Sequence, residues 1–337
     1  MTGGSLAGCS DAVRRSGGGG SERWTFSADA PVKSAPTVAD GAVYVGSDDE
    51  RLHAIDAEDG AERWSTTLLG GVSSEPAVAD STVYISDGTR VTAIEAGDGR
   101  KLWSALVEEE EVHASPVVAD GTVYIGSNDG DVYALDANGG AERWTFETSD
   151  PVAVSPAVAG NTVFAGNEGG TVYAIDAMEG TERWTFETDG PIESPPAVAD
   201  DTVYVGSDDE RVYALDTATG TEQWAFRTGA EVRSSPAVAD GTVYAGSNDD
   251  NVYAVDAGEG TEQWRFETNG AVVSSPAVAD GTVYVGSHDE FVHALDAGDG
   301  TRRWAFQTRE RVESSPAVAD DTVYVGSDDE RLYALSV

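Results

Sequence analysis

The chain has 337 residues, and its 61 acidic residues against 20 basic ones give a formal net charge of -41. This charge excludes nucleic-acid binding as the main function, because that function needs a basic surface to displace counterions from phosphates. Self-repulsion of this size destabilises a compact fold and is screened at about 1 M salt. The composition, with Lys33 and Lys101 as the only lysines, resembles that of proteins from extreme halophiles, so we expect a solvated acidic surface.

The chain begins with a candidate lipidation signal. The tetrapeptide LAGC ends at Cys9, the only cysteine, and matches the site at which lipoprotein precursors are cleaved and lipidated. Only eight residues precede Cys9, whereas a secretory leader carries an apolar segment of about 7 to 15 residues. Either the true start lies upstream, which predicts an extracytoplasmic protein anchored to the membrane only through Cys9, or the match arose by chance and the protein is cytoplasmic.

The following residues predict a boundary between a tether and a folded domain. Residues 10–21 are polar and rich in Gly and Ser, the composition of a flexible linker. We therefore predict a leader and linker over 1–21 and a single folded domain over 22–337.

Tryptophan and proline recur throughout this domain with a period of about 40 residues. The tryptophans are Trp24, Trp64, Trp103, Trp144, Trp184, Trp224, Trp264 and Trp304. The regularly spaced prolines are Pro36, Pro76, Pro116, Pro156, Pro196, Pro236, Pro276 and Pro316. Self-similarity at a fixed period predicts repeats that bury their apolar faces against one another.

Each repeat contains four short segments rich in Val, Tyr and Ala, separated by turn residues. In the sixth repeat we predict strand A over 236–239, strand B over 242–246, strand C over 251–256 and strand D over 261–268. Connections this short join antiparallel neighbours. Strands B and C are apolar on both faces, as expected for sheets packed between two others. Each repeat is thus predicted to be one four-stranded antiparallel blade.

The two ends of the chain fall in the same repeat. A lone D strand begins at Glu22, and the chain ends in a C strand at Ala334-Leu335. The first residues therefore supply the strand that the last repeat lacks. This phase predicts an all-β, eight-bladed β-propeller whose ring is closed by the N-terminal strand joining the C-terminal blade.

The segment between strands C and D carries a motif. It follows A-x-D-x-x-x-G-x-x-x-W in six repeats, from AIDAEDGAERW at Trp64 to ALDAGDGTRRW at Trp304, with AIEAGDGRKLW at Trp103 as a variant. The pattern resembles the tryptophan-docking motif of the PQQ-like quinoprotein propellers. The resemblance implies that each indole lies between consecutive blades and donates its N–H to a main-chain carbonyl. We therefore interpret all eight tryptophans as structural docking residues.

The resemblance leaves two functional interpretations. Some PQQ-like propellers are dehydrogenases that use pyrroloquinoline quinone and calcium, and the resemblance implies inserted loops and adjacent cysteines for them. Others are small, non-catalytic, BamB-type lipoproteins that bind protein partners. This chain has one cysteine and no inserted loop. We therefore expect a non-catalytic monomer that binds a protein or polymer, with neither PQQ nor calcium as cofactor. A PQQ- and calcium-dependent dehydrogenase is the alternative, and a recognition module of a larger system is a third possibility.

One position differs strongly between the repeats, on the face that carries the D-to-A connections and the B-to-C hairpins. It lies three residues before each regularly spaced proline. The candidate binding residues at this position are Lys33, Ser73, His113, Glu193, Arg233 and Glu313, and Ala153 and Val273 complete the set. If this position served only to close the ring, one residue type would be expected in all blades. The mixture of residue types therefore predicts a binding face. Unselected variation of solvated loop residues is the alternative.

No sequence motif predicts a catalytic or metal site. Acidic B-to-C hairpins such as Asp48-Asp49-Glu50 are too short to supply the six to eight oxygens that calcium takes, and Asp is common in turns. The histidines lack metal-ligand spacing and are interpreted as packing residues. They are His53, His113, His288 and His293.

Overall fold

The computed structural model describes residues 19–107 and 112–337. The regular secondary structure in these ranges consists of 32 β-strands in eight four-stranded sheets. Within the same ranges, no helix is long and apolar enough to cross a membrane. The predicted lipidation site, Cys9, lies outside the described residues.

Strands A and B form the inner half of each blade. Strand A has three residues in every blade: β2 (Thr37–Ala39), β6 (Ala77–Ala79), β10 (Val117–Ala119), β14 (Ala157–Ala159), β18 (Ala197–Ala199), β22 (Ala237–Ala239), β26 (Ala277–Ala279) and β30 (Ala317–Ala319). Strand B is longer: β3 (Ala42–Ser47), β7 (Thr82–Asp87), β11 (Thr122–Gly126), β15 (Thr162–Gly166), β19 (Thr202–Ser207), β23 (Thr242–Gly246), β27 (Thr282–Gly286) and β31 (Thr322–Ser327).

Strands C and D form the outer half. Strand C comprises β4 (Arg51–Asp56), β8 (Arg90–Glu95), β12 (Asp131–Asp136), β16 (Thr171–Asp176), β20 (Arg211–Asp216), β24 (Asn251–Asp256), β28 (Phe291–Asp296) and β32 (Arg331–Ser336). Strand D, at the outer edge, comprises β1 (Glu22–Ser27), β5 (Glu62–Thr67), β9 (Lys101–Leu106), β13 (Glu142–Glu147), β17 (Glu182–Glu187), β21 (Glu222–Arg227), β25 (Glu262–Glu267) and β29 (Arg302–Gln307).

Every sheet has the strand order A-B-C-D, and the A strands of adjacent blades contact one another around a central axis. We number the blades 1 to 8 by their A strands, from β2 to β30. The predicted eight-bladed propeller is confirmed. In blade 6, strands B and C have their predicted bounds, whereas strand A begins one residue after Pro236, because proline has no N–H for the ladder. Strand D is one residue shorter than predicted at each end.

The ring closes in blade 8, where β1 pairs with β32. Thr25 lies opposite Tyr333, and Phe26 lies opposite Leu332. The predicted closure by the two termini is thus confirmed. Opening the ring would break this ladder and expose an apolar face.

The closure includes residues that precede β1 and fall within the predicted linker. The Gly20 N–H donates to the Ser336 carbonyl at 2.6 Å, and the Ser336 N–H donates to the Ser21 carbonyl at 2.8 Å. In blade 1, the Gly60 N–H donates to the Asp56 carbonyl in the same way, at 3.0 Å. Gly20 and Ser336 therefore complete an eighth docking motif that is divided between the two ends of the chain.

The core lies between blades. Between blades 5 and 6, Tyr204 and Val212 of one sheet pack with Val243 and Val255 of the next. The docking tryptophan of the first blade joins this cluster. Seven indole N–H groups donate to a carbonyl of the following blade at 2.8–3.0 Å: those of Trp24, Trp64, Trp103, Trp144, Trp184, Trp224 and Trp264. Since each blade buries both faces, no blade is expected to be stable alone.

A β-bulge precedes the docking tryptophan in strand D. In blade 3, Trp144 pairs with Ala134 while Glu142 pairs with the next residue of strand C, so Arg143 is the extra residue. Its Nη2 donates to Asp136 Oδ2 at 2.8 Å. The bulge thus directs the residue before the tryptophan towards the Asp of the docking motif. In blade 4 the same arginine bond, with backbone N–H groups, lowers the pKa of that Asp to about 2.

Candidate functional site

The candidate residues lie on the face formed by the D-to-A connections and the B-to-C hairpins, here called the D–A face. The Val232 N–H of a connection donates to the Ser207 carbonyl of a hairpin at 3.1 Å. Along this connection Val232 and Ser234 are fully buried, whereas Arg233 between them is exposed. In every blade the equivalent residue lies between two buried neighbours and is itself exposed, as Ser73 is, or half-buried, as Lys33 is. The position that varies is therefore the one that reaches solvent.

The charged candidates form pairs within the D–A face. Lys33 Nζ lies 3.2 Å from Asp48 Oδ2. Arg233 contacts Glu193 (Nη1–Oε2, 2.9 Å) and Asp208 (Nη2–Oδ2, 2.8 Å). Burial raises the pKa of Glu193 above its usual range, although Arg233 opposes this. Arg233 thus joins two blades and balances two carboxylates.

The remaining candidates lie in two other places. Glu313 Oε1 is 3.2 Å from Arg311 Nη1 and 3.4 Å from His288 Nε2. Ser73 and His113 line a cleft of about 290 Å³ near blade 2, together with Lys33. The structure therefore brings Lys33, Ser73 and His113 into one cleft and pairs Glu193 with Arg233. Glu313 lines a second, central cavity together with Lys33 and Ser73.

A central cavity of about 680 Å³ opens on the D–A face at the start of the A strands. Its wall contains the residue directly before each regularly spaced proline: Ala35, Glu75, Ser115, Ser155, Pro195, Ser235, Ser275 and Ser315. Glu75 is the one charged residue of this set. Glu75 is not among the residues predicted from the sequence, although this position differs between the repeats and Glu75 is its only charged residue.

The second Asp of several B-to-C hairpins is bound by a side chain of strand C in the same blade. Tyr213 Oη donates to Asp209 Oδ2 at 2.5 Å. His53 replaces this tyrosine in blade 1, with Nε2 3.0 Å from Asp49 Oδ2, and His293 makes the equivalent contact in blade 7. No group of three or more His, Cys, Asp or Glu side chains among the described residues could hold a metal ion.

Comparison with known families decides the relationship of this chain. The PQQ-repeat family model described as outer membrane protein assembly factor BamB matches residues 11–151, 128–235 and 218–337, which together span nearly all of the sequence. The chain belongs to the BamB family. No curated protein matches the sequence significantly.

Solved structures share the fold of this BamB-family chain at low identity. BamB from Moraxella catarrhalis is 19% identical, with a TM-score of 0.82 over 94% of this chain and 97% of that chain. The computationally designed Ika8 protein is 19% identical, with a TM-score of 0.84 over 92% and 98%. A quinohemoprotein alcohol dehydrogenase, ADHIIG from Pseudomonas putida HK5, is 16% identical, with a TM-score of 0.77 over 94% and 76%. At these identities the likeness establishes the fold alone.

Proposed function

We propose that this BamB-family propeller is a non-catalytic scaffold that binds a protein partner through its D–A face. The observation that carries the proposal is the confinement of variation to solvent-facing positions. Lys33, Arg233 and Glu313 differ between blades, while the residues on either side of them are buried and nearly uniform. Polar and charged residues at loop positions on a rigid scaffold are typical of binding surfaces.

The composition of the central cavity favours a scaffold over a quinone dehydrogenase. Calcium takes six to eight oxygen ligands, commonly from several carboxylates. The carboxylates on the cavity wall are those of Glu75 and Glu313, and Glu313 is already bound by Arg311 and His288. These residues do not fit a calcium-bound quinone, and we propose that neither group is a cofactor.

We propose in addition that the protein works outside the cytoplasm, anchored through Cys9. The family description, outer membrane protein assembly factor, supports this location. Metabolic labelling of the native gene product with a radioactive fatty acid tests it. Label in the membrane fraction that disappears in Cys9→Ser is expected, and unlabelled wild type would contradict it.

The binding proposal is tested by site-specific photo-crosslinking in living cells. A photoreactive amino acid at Ser73, on the D–A face, is expected to capture one defined partner, whereas the same probe at Glu58, in a C-to-D turn on the opposite face, is not. Lys33→Ala/Arg233→Glu should abolish the capture. A matched double variant on the opposite face, Arg143→Ala/Arg303→Glu, makes the same change in charge, breaks two Arg–Asp pairs and should retain the capture. Equal capture by both doubles would refute the D–A face as the binding surface.

A further inference from the structure

The central cavity contains an acidic side chain whose charge no described residue balances. We infer that Glu75 receives the ammonium group of a lysine side chain, which the protein partner inserts into the cavity from the D–A face. This inference rests on the proposed function and specifies what the partner presents.

The first support is the isolation of Glu75. Its carboxylate has one polar contact, a long one of 3.5 Å from Thr37 Oγ1 to Oε1. The side chain is open to solvent in the cavity, but the surrounding walls raise its pKa. A carboxylate that is partly shielded from water and has no ion-pair partner is stabilised more by an added cation than a fully solvated carboxylate is.

The second support is that nearby charged groups are already bound to others. Lys33 at the rim contacts Asp48 at 3.2 Å, and Glu313 contacts Arg311 at 3.2 Å. In the parts of the chain that the structure describes, no cation lies within salt-bridge distance of Glu75. An added cation would therefore form a new ion pair without breaking an existing one.

The third support is the set of hydroxyls around the axis. The Glu75 N–H donates to Ser115 Oγ at 2.8 Å, and the Ser115 N–H donates to Ser155 Oγ at 2.8 Å. On the other side, the Ser235 N–H donates to Ser275 Oγ at 2.9 Å. These bonds fix the hydroxyl oxygens and leave each a lone pair. An ammonium has three donors that can rotate towards such acceptors, whereas a planar guanidinium prefers a bidentate partner.

The dimensions favour a side chain over a bare ion. The cavity of about 680 Å³ lies within the range of sites that enclose organic ligands, about 300 to 1,000 Å³. Glu75, the cavity carboxylate without an ion pair among the described residues, cannot complete the shell of a calcium ion by itself. Because the cavity opens on the D–A face, a partner bound there is placed to insert a lysine.

The site is tested with n-butylammonium, which carries the lysine head group and most of its stem. Backbone NMR resonances of Glu75 and Ser115 are followed during titration at constant ionic strength, with n-butanol and potassium chloride as separate controls. We expect saturable shifts with n-butylammonium alone. Glu75→Gln and Glu75→Ser, the latter matching five other blades, should weaken binding about tenfold or more, as expected for the loss of a charge-assisted bond. Glu58→Gln removes an equal charge from an exposed turn and should leave the affinity unchanged.

Three results would overturn the inference: shifts of the same size with potassium chloride, unchanged affinity in Glu75→Gln, or tighter binding of n-propylguanidinium. Crosslinking from Ser73 shows whether the lysine site or the proposed scaffold function is wrong. If wild type and Glu75→Gln capture the partner equally, the lysine site is refuted and the scaffold stands. If neither captures a partner while n-butylammonium still binds to wild type, the cavity site stands and the scaffold is refuted.

Discussion

At the scale of single residues, Gly20 shows how a position near one end of the chain serves a motif that begins at the other. Gly20 has φ +82° and Gly60 has φ +76°, both in the left-handed region. A Cβ on Gly20 would lie 2.7 Å from Trp304 Cε3, and one on Gly60 would lie 2.7 Å from Trp24 Cδ2. The linear sequence conceals this equivalence, because the first half of the motif ends at Ser336 and carries Ser where most repeats carry Asp.

Replacing Gly20 is therefore expected to be as harmful as replacing Gly60. An alanine costs about 1–2 kcal/mol in the left-handed region, and its contact with the indole adds to this. We predict that Gly20→Ala and Gly60→Ala lower the urea midpoint similarly. Gly139→Ala is the control, since a Cβ there meets no atom within 4 Å. A Gly20→Ala variant as stable as Gly139→Ala would show that this glycine does not contribute to closure.

Asp87 is a second residue that departs from the repeat. It is fully buried in blade 2, at the position that Ser47 occupies in blade 1. Neither carboxylate oxygen has a partner in hydrogen-bonding geometry. Burial raises its pKa above the usual range, although the positive charge of Lys101 opposes this.

The raised pKa predicts how stability depends on pH. The folded state holds the Asp87 proton more tightly than the unfolded state, so stability falls as pH rises from the unfolded value of 3.8 through the higher folded value. Asp87→Asn should raise the free energy of unfolding at pH 7 by about 1 kcal/mol, and the gain should vanish below pH 4. Asp29→Asn, which removes an exposed charge, serves as control. A gain that is equal at both pH values, or equal in the control, would contradict the assignment to burial.

At the scale of elements, strand positions were predictable because eight copies of one pattern average out local ambiguity. The bulge at Arg143 could not be predicted, because an extra residue in strand D is recognised only from its pairing with strand C. The contact between the hairpin Asp and the aromatic residue of strand C was only partly predictable. Asp209 and Tyr213 are four residues apart, as are Asp49 and His53. The spacing was present in the sequence, but nothing in it indicated that the two side chains meet.

This link is expected to stabilise each blade. Tyr213→Phe removes the donor to Asp209, whose side chain is nearly buried, and should lower the free energy of unfolding by about 1–2 kcal/mol at pH 7. Tyr284→Phe is the matched control, because that hydroxyl has no hydrogen-bond partner and blade 4 already has Phe164 at this position. A similar loss in both variants would show that the phenol ring matters and the bond does not.

The same pair predicts the response to alkali. Burial and the Asp209 bond raise the pKa of Tyr213 from 10.0 to about 12. A raised acid pKa stabilises the fold below pH 10 and loses this effect as pH rises towards 12. The difference between wild type and Tyr213→Phe should therefore shrink across this interval. Thermal unfolding followed at several pH values measures it, and a difference that grows with pH would contradict it.

At the scale of the whole molecule, ring closure could be predicted from the phase of the termini, and the face that carries the variable position could be predicted from the strand order. The central cavity could not be predicted. Pattern alone cannot tell that the residue directly before each proline faces the axis while its predecessor is buried. Glu75 and Ser74 illustrate the difference: the first reaches the cavity and the second is 3% exposed. Which charges pair across blades, as Arg233 does with Glu193 and Asp208, also depends on distances that only the ring fixes.

The net charge of -41 leads to a prediction for the entire fold. Screening shortens the Debye length from about 10 Å at 0.1 M salt to about 3 Å at 1 M, so repulsion between blades should fall steeply. We predict that the thermal midpoint rises by roughly 5 °C or more over this range, a change of a few kcal/mol for a chain of this length. Circular dichroism melts in potassium chloride measure it.

A charge-reduced variant tells screening apart from general salt effects on burial. Glu58, Glu179 and Glu259 lie exposed in C-to-D turns of three blades, so replacing all three with Gln removes charge without altering the core. Screening acts on charge, so the triple variant should be more stable than wild type at 0.1 M salt, with the two converging at high salt. Sucrose, which favours compact states without screening, should stabilise both equally. If the thermal midpoints of the two proteins rise in parallel with salt concentration, then preferential exclusion, and not relief of repulsion, stabilises this acidic ring at high salt.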